Sequence, residues 1–147
     1  TYKKLKNAKI YCVDYSKAML GRYKNRVGSH CPWIHFSWGD VGQLKYSDDS
    51  FDMVLSMNGY HCFPEKKQAL EEIFRVLKPG GKFIGCTYVK GVYKRTDFCV
   101  RNIYNRMGIF IPPHEDENQF KARLSKYFHV NKYVLKNSFA CFECMKK

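Results

Sequence analysis

The sequence predicts an α/β fold in which a mostly parallel sheet with flanking helices carries an antiparallel pair of strands at its C-terminal edge. Short apolar runs alternate with amphipathic helical patterns along residues 9–89, which is the order of α/β proteins. The near-continuous apolar run "FDMVLSM" at 51–57 is typical of a strand covered on both faces, as in a parallel sheet. Two consecutive strand patterns end the chain and fit an antiparallel edge.

The N-terminal elements form a strand–helix–strand pattern. Residues 9–13 predict a short buried strand, and Ser16 is a suitable N-cap for a helix that Gly28 and Ser29 end. Apolar residues of this helix recur in steps of four: Met19, Tyr23 and Val27. The alternating, aromatic-rich "WIHFSW" at 33–38 predicts the next strand.

The central elements repeat this order. After the strand at 51–57, residues 66–77 carry one broad apolar stripe and predict a helix. The "KPGGK" segment ends it, because Pro79 cannot continue a helix and Gly80–Gly81 permits a tight turn. "KFIGCTYV" at 82–89 then predicts another buried strand.

The C-terminal third predicts two helices and two strands. A helix over 95–107 would point Phe98, Ile103 and Met107 inward. A second helix over 116–127 would place Phe120, Leu124 and Phe128 on one side. "FHVNKYVLKN" and "SFACFECM" follow as adjacent strands joined by a polar turn.

Length and composition indicate one globular domain over residues 1–147. Apolar residues make up 45% and aromatic residues 16% of the chain, which is enough for a hydrophobic core. No apolar stretch approaches the ~20 residues of a bilayer span, and no signal-peptide apolar region follows the basic N-terminus. The seven cysteines are an odd number and several lie in apolar runs, which favours reduced, buried thiols. We therefore expect a cytoplasmic protein with no membrane partner.

Charge and cysteine spacing give weaker indications. The net charge is +13, but the basic residues are dispersed without a run of five, so solvated lysine faces are favoured over a nucleic-acid interface. Cys141 and Cys144 form a CxxC pattern on a predicted strand, without the second ligand pair that zinc requires. We predict two unrelated thiols and no metal site.

Acidic residues and glycines follow three predicted strands. Asp14 follows the first, Gly39–Asp40 the second and Asn58–Gly59 the third. In open parallel sheets ligands bind at the carboxyl ends of the strands. Carboxylates there can accept hydrogen bonds from a ribose diol and an exocyclic amine, so the pattern indicates a nucleoside.

Three segments resemble, in order, motifs of the class I S-adenosylmethionine-dependent methyltransferases: "VDYSKAML", "GDVGQLKYSDDSFDMVLSMNGYHCF" and "EEIFRVLKPGGKFI". The resemblance covers residues 9–89 well and the rest loosely. It implies a Rossmann-like fold, S-adenosyl-L-methionine as cofactor, and in-line methyl transfer that needs no metal ion to a small-molecule acceptor. Residues 90–118 would contribute the acceptor pocket.

The resemblance also implies residue roles. Asp14 would bind the ribose hydroxyls, and Tyr15 and Met19 would pack on the adenine. Asp40, between Gly39 and Val41, would receive the adenine amino group. The alternative for Asp14 and Asp40 is a role as helix caps or loop acids, and Tyr15 and Met19 could be core residues.

For the methyl-transfer end, the resemblance implies that Asn58 and Gly59 line the methionine moiety. The alternative for this pair is a simple turn. His61 and Tyr60 are the candidate catalytic bases, although a single loop histidine is more often a bystander.

Two family features are absent from the sequence. The glycine-rich loop after the first strand of the family is missing, together with that strand, so the chain begins between that loop and the second strand. We therefore expect a piece of a longer polypeptide, closure by the remaining strands, or self-association that covers the missing strand, and poor cofactor binding by the 147 residues alone. No "NPPY"-like motif follows the strand at 51–57, which argues against an adenine-N6 nucleic-acid methyltransferase.

Two other functions stay open. An acid after the second strand also holds the ribose of a nicotinamide dinucleotide, which would make the protein an oxidoreductase, although the "GD…FD…LKPGG" blocks fit this poorly. The other is a truncated or degenerate methyltransferase-like domain without activity alone, serving assembly or basic-surface binding.

Overall fold

The computed structural model describes residues 7–27 and 31–147, so the predicted helix end at Gly28 and Ser29 lies outside the described residues. The chain divides into two compact units, residues 1–45 and 46–147. The single domain expected from the sequence stays a prediction. None of the helices in the described part of the chain combines the length and hydrophobicity that a membrane span requires.

The first unit is a strand–helix–strand element. Its parts are β1 (Ile10–Asp14), α1 (Lys17–Val27) and β2 (Ile34–Trp38). The two strands pair in parallel, with Ile10 opposite Ile34 and Asp14 opposite Trp38. A small core of Val27, Cys31 and Ile34 joins the helix end to β2. The two predicted strands are confirmed to within a residue at each end, and α1 begins directly after the predicted N-cap Ser16.

The second unit contains a four-stranded sheet in the order β3-β4-β6-β5. Its elements are β3 (Phe51–Met57), a 3₁₀ turn (Tyr60–Cys62), α2 (Lys66–Val76), β4 (Leu77–Tyr88), α3 (Lys94–Cys99), a π-helical turn (Val100–Tyr104), α4 (Glu117–Tyr127), β5 (Phe128–Lys136) and β6 (Phe139–Lys146). β3 runs parallel to β4, whereas β6 pairs in antiparallel fashion with β4 on one side and with β5 on the other. Together with the parallel pair in the first unit, this confirms the predicted α/β class with an antiparallel C-terminal edge.

The core of the second unit lies between the sheet and the helices α2 and α4. The buried stripe of α2 consists of Ala69, Leu70, Ile73 and Val76, as the sequence predicts. Phe120 and Leu124 of α4 are fully buried, and the Phe120 ring lies 5.4 Å from that of Phe142 in β6. Each buried side chain of this size contributes about 1.5–3 kcal/mol relative to exposure.

Two helices of this unit, α2 and α4, pass directly into strands. α2 ends at Val76 and β4 begins at Leu77, where the backbone becomes extended. The helix thus ends before Pro79, as predicted. β4 begins at Leu77, opposite Phe51, and Lys82 is the next register partner, opposite Met53, so the predicted turn at Gly80–Gly81 forms an irregularity within β4. Gly80, at φ +74°, accommodates this irregularity within the strand.

The outer face of β3 is exposed, contrary to the prediction of a strand covered on both faces. Met53, Leu55 and Met57 are 52%, 62% and 61% exposed. Because side chains alternate along a strand, these three point to one face of the sheet. The helix α2 contacts the sheet through β4, and α4 contacts it through β5 and β6. The apolar composition predicted the strand correctly but not which of its faces is covered.

The helix predicted over 95–107 is also different. α3 ends at Cys99 and a π-helical turn over Val100–Tyr104 replaces its continuation. Phe98, Ile103 and Met107 are exposed instead of facing inward. The wider turn changes the 3.6-residue phase from Val100 onward, which accounts for Ile103 and Met107. Val100 and Phe110 are buried against Tyr88 in their place.

Candidate functional site

The first group of predicted site residues lies at the carboxyl ends of β1 and β2. Asp14 and Trp38 are register partners in the parallel pair, so the residues that follow them lie at the same edge of the sheet. The backbone N–H of Gly39 donates to the carbonyl of Asp14 over 3.3 Å. The structure therefore brings Asp14, Tyr15 and the Gly39–Asp40 loop together.

Asp14 shapes the turn into α1. Its Oδ1 accepts the backbone N–H of Ser16 at 2.8 Å, and the Ser16 hydroxyl accepts the N–H of Met19 at 3.3 Å. Ser16 is thus the predicted N-cap, which leaves Asp14 outside the helix. The turn uses one carboxylate oxygen of Asp14, while a ribose diol would require the other.

Asp40 organises the loop after β2. Its Oδ1 accepts the N–H of Gly42 at 2.8 Å and its carbonyl accepts the N–H of Gln43 at 3.1 Å, which is an Asx-type turn. Asp40 is exposed and Val41 half-buried. At Gly39 an added Cβ would lie 3.2 Å from Cγ1 of Val13, so a small residue lets the loop approach β1 closely.

Trp38 is a residue of this edge that the sequence analysis did not single out. Its indole N–H donates to the carbonyl of Tyr15 at 2.8 Å, and the two rings lie 5.9 Å apart. The Lys17 ammonium lies 5.3 Å from the Trp38 ring centroid. Tyr15 is 71% exposed, whereas Met19 is half-buried on α1. The sequence signal that could have indicated Trp38 is its position as an aromatic residue at the end of a strand, directly before "GD".

The second group follows β3 in the other unit. Asn58 adopts a left-handed conformation at φ +58° and donates its N–H to the carbonyl of Cys86 at 2.8 Å. An added Cβ at Gly59 would lie 2.9 Å from the Ser56 hydroxyl, so the turn is closely packed. Asn58 itself is exposed. This turn delivers the chain into the 3₁₀ turn that carries Tyr60 and His61.

Tyr60 and His61 are both buried. The Tyr60 hydroxyl donates to Oε2 of Glu115 at 2.8 Å, and Tyr60 is 2% exposed. Nδ1 of His61 accepts the backbone N–H of Tyr88 at 3.2 Å, and its ring lies 4.0 Å from that of Phe110. A role for either ring in proton transfer stays a prediction.

Around these rings lies a partly buried polar cluster that the sequence patterns did not indicate. Glu115 also accepts from Nε of Arg123, and Lys66 donates to the carbonyls of Phe63 and Ile111 at 3.0 and 2.7 Å. His114 contacts Oδ1 of Asn105 through Nε2 at 2.8 Å. These residues carry no periodic signal, because they come from a helix start, a loop and a helix interior that are distant in sequence.

Burial dominates the electrostatics of this cluster. It lowers the pKa of His61 to about 4, with the nearby His114 and Lys66 acting in the same direction. Burial also lowers the pKa of Lys66 and of His114. The pKa of Tyr60 is raised by burial and then by the negative charge of Glu115. At neutral pH His61 is therefore uncharged and Tyr60 keeps its proton.

Comparison with known proteins identifies the family. Residues 1–85 match the family described as methyltransferase domain. The phthiotriol/phenolphthiotriol dimycocerosates methyltransferase of Mycobacterium tuberculosis (strain ATCC 25618 / H37Rv) is 44% identical over 71 residues, 48% of this chain and 26% of that protein. The ubiquinone/menaquinone biosynthesis C-methyltransferase UbiE of Bartonella bacilliformis is 34% identical over 82 residues, 56% of this chain and 32% of that protein. The chain thus spans about a third or less of these relatives.

Solved structures show the same fold. The PH0226 protein of Pyrococcus horikoshii OT3 aligns with a TM-score of 0.72 at 21% identity, over 95% of this chain and 72% of that chain. A SAM-dependent methyltransferase of Methanosarcina mazei aligns with a TM-score of 0.71 at 15% identity, over 92% and 81% of the two chains. The family match, the order of elements and these structural likenesses agree. The chain belongs to the methyltransferase-domain family, among the class I S-adenosylmethionine-dependent methyltransferases with a Rossmann-like fold.

Proposed function

We propose that this chain carries cofactor-binding parts of an enzyme that transfers a methyl group from S-adenosyl-L-methionine to a small-molecule acceptor. The observation that carries the proposal is the pairing of Asp14 with Trp38, which places the acid and the Gly39–Asp40 loop at one edge of a parallel strand pair. Ligands of open α/β sheets bind at such edges. Family membership supports the same cofactor.

The donor set of the first unit fits the adenosine part of this cofactor. The Asp14 carboxylate would accept the ribose hydroxyls, and the exposed Tyr15 ring and Met19 would pack against adenine. The exposed Asp40 carboxylate would accept the adenine amino group, with Val41 beside it. When bound, the cofactor supplies a sulfonium-activated methyl group; the protein contributes binding and orientation.

In the second unit, the family resemblance assigns Asn58 and Gly59 to the methionine end of the cofactor. The left-handed Asn58 and the closely packed Gly59 support a fixed turn there. Tyr60 and His61 remain the proposed proton-handling residues. Their buried hydrogen bonds equally support positioning of this turn, and a pH–rate profile of Y60F and H61Q distinguishes proton transfer from positioning.

We propose that the methyl acceptor is a small molecule. We also propose that the protein is cytoplasmic. The names of the curated relatives refer to ubiquinone and menaquinone biosynthesis and to phthiotriol dimycocerosates, and neither name refers to a nucleic acid. In the segment proposed for the acceptor, Tyr93 and Tyr104 are exposed and Phe110 is buried. The Phe110 ring stacks on Tyr104 at 5.3 Å.

Saturation-transfer difference NMR with S-adenosylhomocysteine tests the proposal, because the method reports which ligand protons lie against the protein. We expect signals from the ribose and adenine protons that D14A abolishes and that D52A, which removes an exposed acid of β3, leaves unchanged. Equal signals from D14A and the unmodified protein would refute the assignment. Binding of a nicotinamide dinucleotide instead would favour the oxidoreductase.

The exposed side of β3 favours a second candidate, assembly through self-association. Met53, Leu55 and Met57 form an apolar row on one face of the sheet. Exposed apolar patches mark interaction surfaces in many proteins. A role in assembly alone would survive D14A, which separates it from methyl transfer.

A further inference from the structure

Two cysteines face each other across the sheet of the second unit. Cys86 of β4 and Cys141 of β6 are register partners in the antiparallel pair, and their Sγ atoms lie 3.3 Å apart. Cys141 is exposed and Cys86 half-buried. Cys144, the other half of the CxxC pattern, is buried three residues along the strand. The thiol that Cys141 contacts is therefore across the sheet and not within the sequence motif.

The backbone geometry of this pair suits a disulfide. Directly opposed residues in antiparallel strands have Cα atoms about 4.5 or 5.5 Å apart, and disulfides require about 4.4–6.8 Å. Both positions satisfy the requirement before any side chain moves. Bringing the sulfurs from 3.3 Å to bonding distance then needs only side-chain rotation.

The surroundings of the pair leave it accessible. Met57 is the register partner of Cys86 and Val134 that of Cys141, so the four residues form one row across the sheet. Met57 and Val134 are 61% and 62% exposed. A small thiol reagent can therefore reach Cys141 from solvent.

We propose that Cys86 and Cys141 form a reversible disulfide through exchange with a low-molecular-weight disulfide such as glutathione disulfide. The Cys141 thiolate attacks one sulfur of the reagent, which breaks the S–S bond and releases one glutathione thiolate. Cys86 then loses its proton, and its sulfur attacks Cys141 of the mixed disulfide and releases the second glutathione. Two protein thiols are oxidised by two electrons, and one glutathione disulfide is reduced to two thiols.

The order of these two steps follows from the two environments. Burial, reinforced by the neighbouring Cys141 thiol, raises the pKa of Cys86 to about 11. Since the thiolate is the nucleophile, Cys86 reacts slowly with a reagent from solution. Once Cys141 carries glutathione, the two sulfurs are neighbours and the second step is intramolecular.

The disulfide would also be connected to the turn after β3 through the backbone of Cys86. The carbonyl of Cys86 accepts the N–H of Asn58 at 2.8 Å. The cross-link fixes β4 to β6 at the position where this turn is anchored. It closes a chain segment between residues 55 positions apart, so the oxidised protein should unfold at a higher temperature than the reduced one.

The test treats the folded 147-residue chain with a glutathione redox buffer, blocks free thiols with iodoacetamide and maps disulfides by peptide mass spectrometry. We expect Cys86–Cys141 to be the main cross-link, and its preference over other pairs to vanish when the same treatment is done in denaturing urea. Native cross-links scattered among the seven cysteines, or the same pair preference in urea, would overturn the proposal. This comparison requires no variant to fold.

Single variants test the order of attack. C86S should accumulate glutathione on Cys141, whereas C141S should leave Cys86 largely unmodified. C99S, which removes a half-buried cysteine of α3, serves as the matched control and should still form the cross-link. Circular dichroism checks that each variant is folded, and equal glutathione labelling of C86S and C141S would contradict the assigned order.

Discussion

The hydroxyl of Tyr60 donates a hydrogen bond of 2.8 Å to Glu115, a residue 55 positions further along the chain. Arg123 binds the other carboxylate oxygen of Glu115. The turn after β3 is thereby connected to the segment before α4 and to α4 itself. A hydrogen bond to a carboxylate in a buried site is among the stronger polar contacts of a protein.

Replacing Tyr60 by Phe should lower the free energy of unfolding by about 1.5–3 kcal/mol, because Glu115 loses a buried donor. Urea denaturation measures this loss. Y93F removes a hydroxyl from a ring that is 46% exposed and is the matched control. A loss equal to that of Y93F would show that the Tyr60–Glu115 bond contributes nothing.

The buried His61 predicts a pH-dependent stability. Its pKa is about 4 in the folded chain against an ordinary value of 6.5, so between these values the unfolded chain binds the additional proton. Stability should therefore fall as pH decreases from about 6.5 to about 4, by up to about 3 kcal/mol from this group. The lowered pKa of His114 acts in the same direction.

Urea unfolding of H61Q over the same pH range checks this prediction. The variant should show a smaller loss of stability on acidification, because it lacks the group that takes up the proton on unfolding. H129Q removes an exposed imidazole of β5 and is the control. Parallel stability curves for H61Q and the unmodified protein would contradict the prediction.

Gly85 in β4 should tolerate no side chain. An added Cβ would lie 2.6 Å from Cζ of Phe142 and 2.7 Å from the carbonyl oxygen of Ser56. We expect G85A to lower the free energy of unfolding by about 1–3 kcal/mol through overpacking. G21A is the comparison, because an added Cβ in α1 meets no heavy atom within 4 Å and Ala favours a helix. A neutral G85A would show that the Phe142 ring and the backbone at Ser56 can move away from residue 85.

The exposed apolar row of β3 should drive self-association. Sedimentation velocity over a range of protein concentrations should show dimers or larger species, and L55K should shift the distribution towards monomer. M107K places the same charge at a 64% exposed methionine outside the sheet and should leave the distribution unchanged. A monomer at all concentrations would refute this role of the row.

Much of the fold was predictable because it depends on local patterns. The strand at 51–57 matches the observed β3, and the stripe of Phe120, Leu124 and Phe128 is buried as predicted. Ser16 is the N-cap because a short polar side chain before an amphipathic run is a local signal. Parallel pairing of β1 and β2 then follows from the helix between them.

The remainder depends on contacts that a linear pattern does not contain. The π-helical turn at Val100–Tyr104 shifts the helical phase, so Ile103 and Met107 face solvent. The cluster of Glu115, Arg123 and Lys66 forms only when distant segments meet. The proposed roles of Asp14 and Asp40 in cofactor binding rest on the family resemblance, since the local hydrogen bonds of both residues are those of ordinary turn acids.

The direct joints between helix and strand restrict where this chain can be engineered. Inserting a peptide between Val76 and Leu77, or between Tyr127 and Phe128, would displace the following strand, and a shift by one residue turns every side chain to the opposite face. The exposed turn at 106–109 has room for an epitope or a fluorophore-bearing graft. A label placed there would follow the conformation of the second unit without altering its sheet.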